Sequence, residues 1–371
     1  MIRGQSTAIQ EFILDHLDEH ARDISRLTAE QFKISRPAIT KYLQMLVKKG
    51  LVAASGQTKA RKYTLTVLDK KMFREHVTPN LKEDVVWREK VWPMLKDVPE
   101  SVRTICNYGF TEMLNNVIDH SHSKDVEICI WLDAARIYID VKDFGVGVFN
   151  KLMQDFHLHD PRHALIELTK GKLTSDRSKH SGQGIFFTSR AFDKFVLDSY
   201  GFAFCRFGKD DEWLFDTSEP IKGTWVHMDI ARRSARQLSQ VMEEYSSELH
   251  EYGFTKTHIP LTLARYEGEQ LVSRSQAKRL LLRVEQFKEV LLDFRGVSMI
   301  GQAFADEIFR VFAREHPGVR IVITHASEEV MKMVNKAKQD TPSPESLSLF
   351  PENGANGKSS SSSSEEPRLP Q

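Results

Sequence analysis

Three separated stretches of the chain carry carboxylates, an amide and glycines at spacings that suit chemistry on a bound ligand. In the first, TEMLNNVIDHS, Glu112 and Asn116 are four residues apart, so on a helix they share one face. An amide oxygen in this position can ligate Mg²⁺, and a carboxylate one turn earlier can orient or deprotonate a water or a hydroxyl. The first stretch therefore predicts a helix face suited to a metal-bound phosphate.

The other two stretches add a strand end and a helix start. In DVKDFGVGV, the predicted strand RIYIDV runs into Asp143, Gly145 and Gly147. A carboxylate at a strand end can accept a hydrogen bond from an exocyclic amine, and glycines let backbone approach a ligand closely. In HSGQGIFFTSRAFD, Gly182 and Gly184 precede a predicted helix, whose free N–H groups suit phosphate. Together the stretches predict a nucleotide site.

These motifs, in this order, resemble the ATP-binding domain shared by gyrase B, heat-shock protein 90, histidine kinases and the mismatch-repair protein MutL, which is the Bergerat-fold or GHKL superfamily. The resemblance covers residues 101–232 and implies an α/β sandwich that binds ATP and Mg²⁺. It implies that Glu112 is the catalytic carboxylate and that Asn116 ligates Mg²⁺. It further implies nucleotide contacts from Asn116, His120, Asp143, Gly145, Gly147, Gly182, Gly184 and Thr224, with residues 148–181 as a mobile lid. Within that lid, the positive charge of Lys172 predicts a contact with the triphosphate.

The N-terminal 70 residues are predicted to form three helices and a hairpin. Ile9, Phe12, Ile13 and Leu17 repeat at helical spacing, and a second helix covers about residues 22–31. A third helix follows Ser35 and ends at Gly50, with a glycine in the usual position after a helix. Two strands, at 51–54 and 61–68, complete the unit.

Positive charge is concentrated in this unit, although the net charge of the whole chain is only +1. Residues 31–63 contain eight Lys or Arg residues and no Asp or Glu, which is typical of a polyanion-binding face. The stretch ISRPAITKYLQMLVKKGLV resembles the recognition helix and wing entry of winged helix-turn-helix regulators. The resemblance implies DNA contacts from Arg36, Thr40, Lys41 and Gln44 in the major groove and from Lys59, Arg61 and Lys62 on the wing. A solvated basic face, or a winged helix that contacts protein, is the alternative.

The remaining segments complete an α/β multidomain organisation. Residues 71–100 are predicted as a linker helix, 259–338 as a small α/β domain beginning with the strand LTLAR, and 339–371 as a disordered Ser- and Pro-rich tail. The stretch EVLLDFRGVSMIGQAFADEIF resembles the strand, turn and helix of STAS domains. Phosphorylated STAS proteins carry a serine at the start of this helix, where this chain has Gly301, Gln302 and Ala303 and where Ser298 lies earlier. This difference favours a binding or allosteric role for the domain, through which it could contact a protein partner.

Composition excludes several other classes. The chain has 40% hydrophobic and 28% charged residues and no apolar run long enough to span a bilayer, so we expect a folded cytoplasmic protein with no membrane partner. Its start, MIRGQSTAIQ, lacks the apolar core of a signal peptide. Cys106, Cys129 and Cys205 match no zinc or redox spacing and are expected to be reduced and buried.

The sequence therefore favours an ATP-binding, slowly hydrolysing transcriptional regulator. In this hypothesis the nucleotide state of the GHKL-like domain gates DNA binding through the STAS-like domain, and the protein can form a homodimer on two-fold DNA sites. The alternative is a protein kinase of the anti-sigma or histidine-kinase type that acts on a partner protein. A remodelling ATPase resembling gyrase B is disfavoured, because the chain after residue 230 is too short for a transducer domain.

Overall fold

Three hydrophobic cores organise the chain, which is a mixed α/β multidomain protein. A computed structural model describes residues 3–57, 60–158, 160–172, 182–208, 211–217, 219–246, 254–264 and 269–339. We call the three parts the N-terminal unit, the central unit and the C-terminal unit. Lys59, the tail from residue 340 and residues 173–181 of the expected lid lie outside the described residues.

The N-terminal unit contains three helices and a two-stranded antiparallel sheet. The helices are α1 (Arg3–His16), α2 (Ile24–Phe32) and α3 (Arg36–Lys48), and β1 (Val52–Ser55) pairs with β2 (Lys62–Leu65). Ile9 and Ile13 are fully buried on one face of α1, and Ile39, Leu43 and Leu46 are fully buried on one face of α3. Gly50, with φ of +70°, follows the C-cap of α3 and turns the chain into β1.

The central unit is built on a seven-stranded antiparallel sheet of order β3-β4-β5-β9-β6-β7-β8. Its strands are β3 (Asp69–His76), β4 (Asp125–Leu132), β5 (Arg136–Asp143), β6 (Lys194–Ser199), β7 (Phe202–Phe207), β8 (Asp211–Asp216) and β9 (Thr224–Ala231). Every second residue of β4 and β5 is buried, as expected when helices cover one face of a sheet.

Helices of the central unit pack on that buried face. They are α4 (Glu83–Val86), α5 (Glu100–His120), α6 (Val148–Phe156), α7 (Pro161–Lys170), α8 (Gly184–Ala191) and α9 (Leu238–Glu244). Two short helical turns, Trp87–Val91 and Trp92–Leu95, follow α4. The 21-residue α5 carries the deepest part of the core, including the fully buried Ile105, Phe110 and Leu114.

One predicted boundary in the central unit differs from the structure. Residues 71–76, predicted as part of a linker helix, belong to the edge strand β3, which pairs antiparallel with β4 from Asp69 opposite Leu132 to His76 opposite Asp125. The strand forms because β4 supplies its hydrogen-bond partners from a distant part of the chain. Within the expected lid, α6 covers residues 148–156 and α7 covers residues 161–170.

The C-terminal unit has a parallel sheet of order β10-β11-β12. Its elements are β10 (Lys256–Pro260), α10 (Arg274–Leu281), β11 (Glu289–Asp293), α11 (Gln302–Asp306), α12 (Ala313–Glu315), β12 (Arg320–Thr324) and α13 (Glu328–Gln339), with a wider helical turn, Glu307–Phe312, between α11 and α12. The predicted strand LTLAR is wrong, because strand β10 ends at Pro260 and Leu261–Ala264 forms a tight helical turn instead.

Both outer units pack against the central one. Ala134 and Ala135, in the turn between β4 and β5, are buried in the core of the N-terminal unit, and Arg233 pairs with Asp15 of α1. Phe186 and Phe187 of α8 belong to the core of the C-terminal unit. In the described part of the chain, no helix is both long enough and apolar enough to cross a lipid bilayer.

Candidate functional site

A cavity of about 510 Å³ opens in the central unit, between the sheet and the helices that cover it. This volume lies within the range of ordinary small-molecule sites, about 300–1,000 Å³. Side chains of α5, α6 and α8 line it together with the ends of β5 and β9. Apolar lining comes from Met113, Val117, Val141, Val148, Leu152, Leu168, Ile185, Leu197 and Val226. The cavity therefore offers an apolar slot with polar groups at defined points.

The carboxylate of Asp143 is the buried polar group on the sheet side of the cavity, with only 3% of the residue exposed. Its Oδ1 accepts a hydrogen bond from the Gly145 amide at 2.8 Å, and Thr224 also hydrogen-bonds to it. The Thr224 hydroxyl in turn accepts the Val148 amide at 3.0 Å. Burial raises the pKa of Asp143, and the hydrogen bonds from Gly145 and Thr224 oppose that rise. These contacts fix the orientation of the carboxylate.

Two glycines give Asp143 its position. A methyl group at Gly145 would overlap the backbone oxygen of Ser121, and one at Gly223 would overlap the backbone oxygen of Asp143 itself. Gly223 also has φ of +84°, which disfavours any side chain there. The chain therefore needs glycine at both positions to bring β5, the end of α5 and the start of β9 together.

The helix side of the cavity is formed by α5. Glu112 and Asn116, predicted to share a helix face, both line the cavity, and so do Asn115, Asp119 and His120. The Nδ2 atom of Asn116 is buried and has no hydrogen-bond partner among the described residues. A buried amide that lacks a partner is costly, and a ligand in the cavity can satisfy it. The start of α8 packs on the same face, since a methyl group at Gly184 would overlap the Glu112 carboxylate.

The described charged lining is mostly acidic. Glu112, Asp119, Asp143 and Asp155 face the cavity, and the ammonium of Lys151 is the basic group of this set. Lys151 donates to Asp155 at 2.6 Å, one helical turn later on α6. Sequence reasoning missed Lys151 and Asp155, since nothing in the motif marks their helix as part of the site. An anionic ligand would need a cation to offset these carboxylates.

The structure brings most of the predicted site residues together. Eight of the ten line the cavity, namely Glu112, Asn116, His120, Asp143, Gly147, Gly182, Gly184 and Thr224. Gly145 lies behind Asp143 and supports it through its amide. Lys172 lies elsewhere, because its ammonium donates to the backbone oxygen of Gln286 at 2.8 Å and sits 4.6 Å from the centre of the Phe287 ring.

The predicted DNA-contacting residues lie on the surface of the N-terminal unit. Arg36, Lys41 and Gln44 are exposed on α3, and Arg61 and Lys62 are exposed at and before β2. Thr40 is half-buried and its hydroxyl donates to the backbone oxygen of Arg36 at 3.0 Å. The helix and the hairpin thus both present basic side chains to solvent. The position of Lys59 lies outside the described residues.

Comparison with known proteins identifies one part of the chain. No curated protein matches the sequence. Residues 276–331, from α10 through β11 and β12 into α13, match the family model of a STAS-like domain of unknown function (DUF4325). The C-terminal unit of this multidomain protein therefore contains a STAS-like domain.

Proposed function

We propose that the chain is an ATP-binding regulator that binds DNA through its N-terminal unit. The observation that carries the ATP-binding part is the convergence of eight motif residues, from four separated stretches of sequence, on one cavity. If these glycines and polar residues served only turns and helix surfaces, we would not expect them to line the same cavity. The GHKL-like order of the motifs supports the same function.

The residues present fit adenine and a metal-bound phosphate chain. The fixed, buried Asp143 carboxylate would accept a hydrogen bond from the exocyclic amine, and Val141, Leu197 and Val226 would pack on an aromatic base. The orphaned amide of Asn116 would direct its oxygen to Mg²⁺ and its NH₂ group to a phosphate. The metal would offset the acidic lining, and Glu112 would orient a water for slow hydrolysis.

DNA binding by the N-terminal unit is supported by the exposed basic side chains of α3 and β2. A helix of this kind fits the major groove, and a basic hairpin beside it can meet phosphates, as in winged helix-turn-helix proteins. Such proteins commonly act as dimers on two-fold sites, so we propose a homodimer on DNA.

The contacts of α7 support a link between the cavity and the STAS-like domain. Leu168 lines the cavity, whereas the Lys170 ammonium on the same helix donates to the Leu282 backbone oxygen at 2.7 Å. Two residues on, Lys172 donates to Gln286. A ligand that shifts α7 would therefore shift the C-terminal unit, provided that it binds the two arrangements with different affinity.

The test is DNA binding by the purified full-length protein to the region upstream of its own gene. Affinity is measured at one fixed salt concentration with no nucleotide, with ATP and Mg²⁺, and with ADP. Asn116→Ala is compared with Asn107→Ala, a matched change at an exposed position of α5 outside the cavity lining. We expect ATP to change the affinity for DNA in the wild type and in Asn107→Ala, but not in Asn116→Ala.

Two results would overturn parts of the proposal. Equal affinity in all nucleotide states, with ATP binding demonstrated by calorimetry, would refute gating. An absence of DNA binding in every state would assign the N-terminal unit to protein contact instead.

A further inference from the structure

A buried carboxylate in the C-terminal unit holds two histidines at one end of the parallel sheet. Asp293 is the last residue of β11, and its side chain is only 4% exposed. Its Oδ2 lies 3.2 Å from Nε2 of His258, and its Oδ1 lies 3.0 Å from Nδ1 of His325. The backbone amide of Arg295 also donates to Oδ1 at 2.9 Å. The carboxyl ends of parallel strands are where ligands commonly bind in α/β sheets.

The charge of Asp293 fixes the state of the His325 ring. Burial alone would raise the pKa of Asp293, but hydrogen bonds from His258, Arg295 and His325 outweigh burial and lower it to about 2. An ionised carboxylate accepts hydrogen bonds only, so the Nδ1 atom of His325 must carry the proton. In a neutral ring the lone pair then lies on Nε2, the atom farther from Asp293.

His325 is accessible and conformationally constrained. Its side chain is 54% exposed, although its partner is buried. Its φ is +52°, a left-handed conformation that is uncommon for residues other than glycine and clusters at functional sites. It directly follows β12, so the strand end and the hydrogen bond to Asp293 together set the ring position.

A cation lies beside both ring nitrogens of His325. The Nη2 atom of Arg295 is 3.3 Å from Nε2 and 3.4 Å from Nδ1 of His325, it is 3.7 Å from Oδ2 of Asp293, and the Arg295 side chain is 39% exposed. A guanidinium in this position would contact the oxygens of any anionic group attached to Nε2. A metal is not indicated, because the described residues contain no group of three His, Cys, Asp or Glu side chains able to hold one.

The usual STAS acceptor is absent at the neighbouring helix. The start of α11 carries Gly301, Gln302 and Ala303, none of which has a hydroxyl. At this end of the sheet, His325 takes the place of that missing hydroxyl. Its imidazole is a nucleophile that has both an orienting carboxylate and a neighbouring cation. The arrangement of an exposed ring, a buried carboxylate on Nδ1 and an Nε2 lone pair that does not face the carboxylate is that of an activated imidazole nucleophile.

We propose that Nε2 of His325 is a phosphoryl acceptor in the STAS-like domain. Its donor is ATP, so this inference rests on the proposed function. The Nε2 lone pair forms a bond to the γ-phosphorus, and the bond from that phosphorus to the β–γ bridging oxygen breaks. ADP leaves with the electron pair. The Nδ1 proton stays on the ring and is held by Asp293, which stabilises the positive charge on the phosphorylated imidazole, and Arg295 contacts the phosphoryl oxygens.

The experiment incubates the full-length protein with γ-labelled ATP and Mg²⁺ and measures acid-labile, alkali-stable phosphate. We expect the label on His325 by mass spectrometry and its loss in His325→Gln. The matched control is His76→Gln, because His76 is also exposed and its Nδ1 lies 3.0 Å from Asp125, which is itself solvent-accessible. This control should keep the full label.

Asp293 is a positioning residue in this scheme, and its test needs a readout beyond labelling. Asp293→Asn should lower the labelling rate at least about tenfold, because the carboxylate fixes the tautomer and stabilises the product charge. Long-range ¹H–¹⁵N spectra should show the Nδ1-protonated tautomer of His325 in the wild type and its loss in Asp293→Asn. An Nε2-protonated ring in the wild type would overturn the proposal.

The experiments distinguish a protein that does not bind ATP from a His325 that does not accept a phosphoryl group. Calorimetry reports ATP binding separately, and bound ATP without label on His325 would overturn the inference. If ATP does not bind, phosphoramidate replaces it as a small phosphoryl donor that needs no nucleotide cavity. Selective phosphorylation of His325 over His76 by phosphoramidate would then support the acceptor, and equal or no phosphorylation of the two would refute it.

Discussion

Lys170 and Glu167 form an ion pair whose two side chains are 1% and 3% exposed, with Nζ 2.5 Å from Oε1. The ammonium also donates to Leu282, and the Thr257 hydroxyl donates to the Lys170 backbone oxygen at 2.8 Å. Burial lowers the pKa of Lys170, and the charge of Glu167 opposes this. A charged pair thus lies at the contact between α7 and the STAS-like domain, and each buried charge is stabilised by the opposite charge of its partner.

Removing one member should be costly. Lys170→Met would leave Glu167 buried, with Arg283 at 3.9 Å as the one remaining cationic partner among the described residues, so we expect a loss of about 3 kcal/mol in the free energy of unfolding. The double variant Lys170→Met/Glu167→Leu should recover most of this loss. Lys332→Met is the control, because its pair with Glu329 has the same spacing but is 68% exposed on both sides, and a change below about 0.5 kcal/mol is expected. Equal losses in urea denaturation for both lysines would contradict the prediction.

Asp143→Asn should weaken ATP binding about 10–100-fold, the range for one hydrogen bond to a charged group. The asparagine can still accept the Gly145 amide, so the fold should be retained. Asp198→Asn is the matched change: Asp198 follows the cavity-lining Leu197 on β6 and points to the opposite face of the sheet. Calorimetric titration with ATP measures both, and an equal effect at the two positions would argue against adenine recognition by Asp143.

Nucleotide binding should require a divalent cation. Four carboxylates and one lysine make up the described charged lining, so a triphosphate alone would meet net repulsion. We expect ATP affinity to fall at least about tenfold when EDTA removes Mg²⁺. Adenosine, which carries no phosphate, serves as the control and should bind equally with and without the metal. Metal-independent binding of ATP would contradict the role given to Asn116.

His227 should make stability depend on pH. Its Nδ1 lies 2.7 Å from Asp140 and its Nε2 lies 3.5 Å from Asp229. Burial lowers its pKa, but the hydrogen bonds and charges of the two aspartates outweigh burial and raise the pKa from 6.5 to about 8. The folded state therefore binds the proton more tightly than the unfolded state, and this stabilisation is complete below about pH 6.5 and is lost as pH rises through about 8.

The measurement is the free energy of unfolding in urea at pH 6 and pH 9. The wild type should lose on the order of 1–2 kcal/mol more than His227→Gln over this interval. Identical pH dependence in the two proteins would show that His227 makes no net contribution.

Lys62→Ala should weaken DNA binding for all sequences alike and reduce the slope of log affinity against log salt by about one, if Lys62 meets a phosphate. Lys278→Ala, at a lysine that is 69% exposed in the C-terminal unit, should leave the slope unchanged. A filter-binding or fluorescence titration over a salt series measures the slope. The same slope in Lys62→Ala and in the wild type would remove this residue from the interface.

The sequence predicted the cavity better than it predicted the elements around it. Glu112 and Asn116 share a helix face because helical geometry is local, and Asp143 lies near Gly145 because only one residue separates them. Lys172 could not be placed in this way. Its charge suggested a phosphate contact, but its ammonium packs on Phe287 and Gln286, which are more than a hundred residues away.

Strand β3 escaped prediction for a similar reason. Its inward positions include Lys71 and Glu75, whose charges hide the apolar alternation of a half-buried strand. Both charges are met by the helical turn at Trp87–Val91, where Lys71 donates to the Lys90 backbone oxygen at 3.1 Å and Lys90 pairs with Glu75. The alternation of Leu261 and Leu263 caused the opposite error, because it predicted a strand where the chain forms a helical turn. These leucines belong to two different cores, so they join the units rather than forming one strand face.

The connection between the N-terminal unit and the sheet is short. Only Thr66, Val67 and Leu68 separate β2 from β3, and three residues extend at most about 10 Å. The Thr66 amide donates to Leu51 at 3.1 Å and the Leu68 amide donates to Leu132 at 2.8 Å, so both ends are held. The N-terminal unit therefore cannot move away from the sheet as a module on a long flexible linker would. In a dimer, the separation of the two α3 helices would be set by how the central units meet, and a shift of a few ångströms there would change which half-site spacing the pair can span.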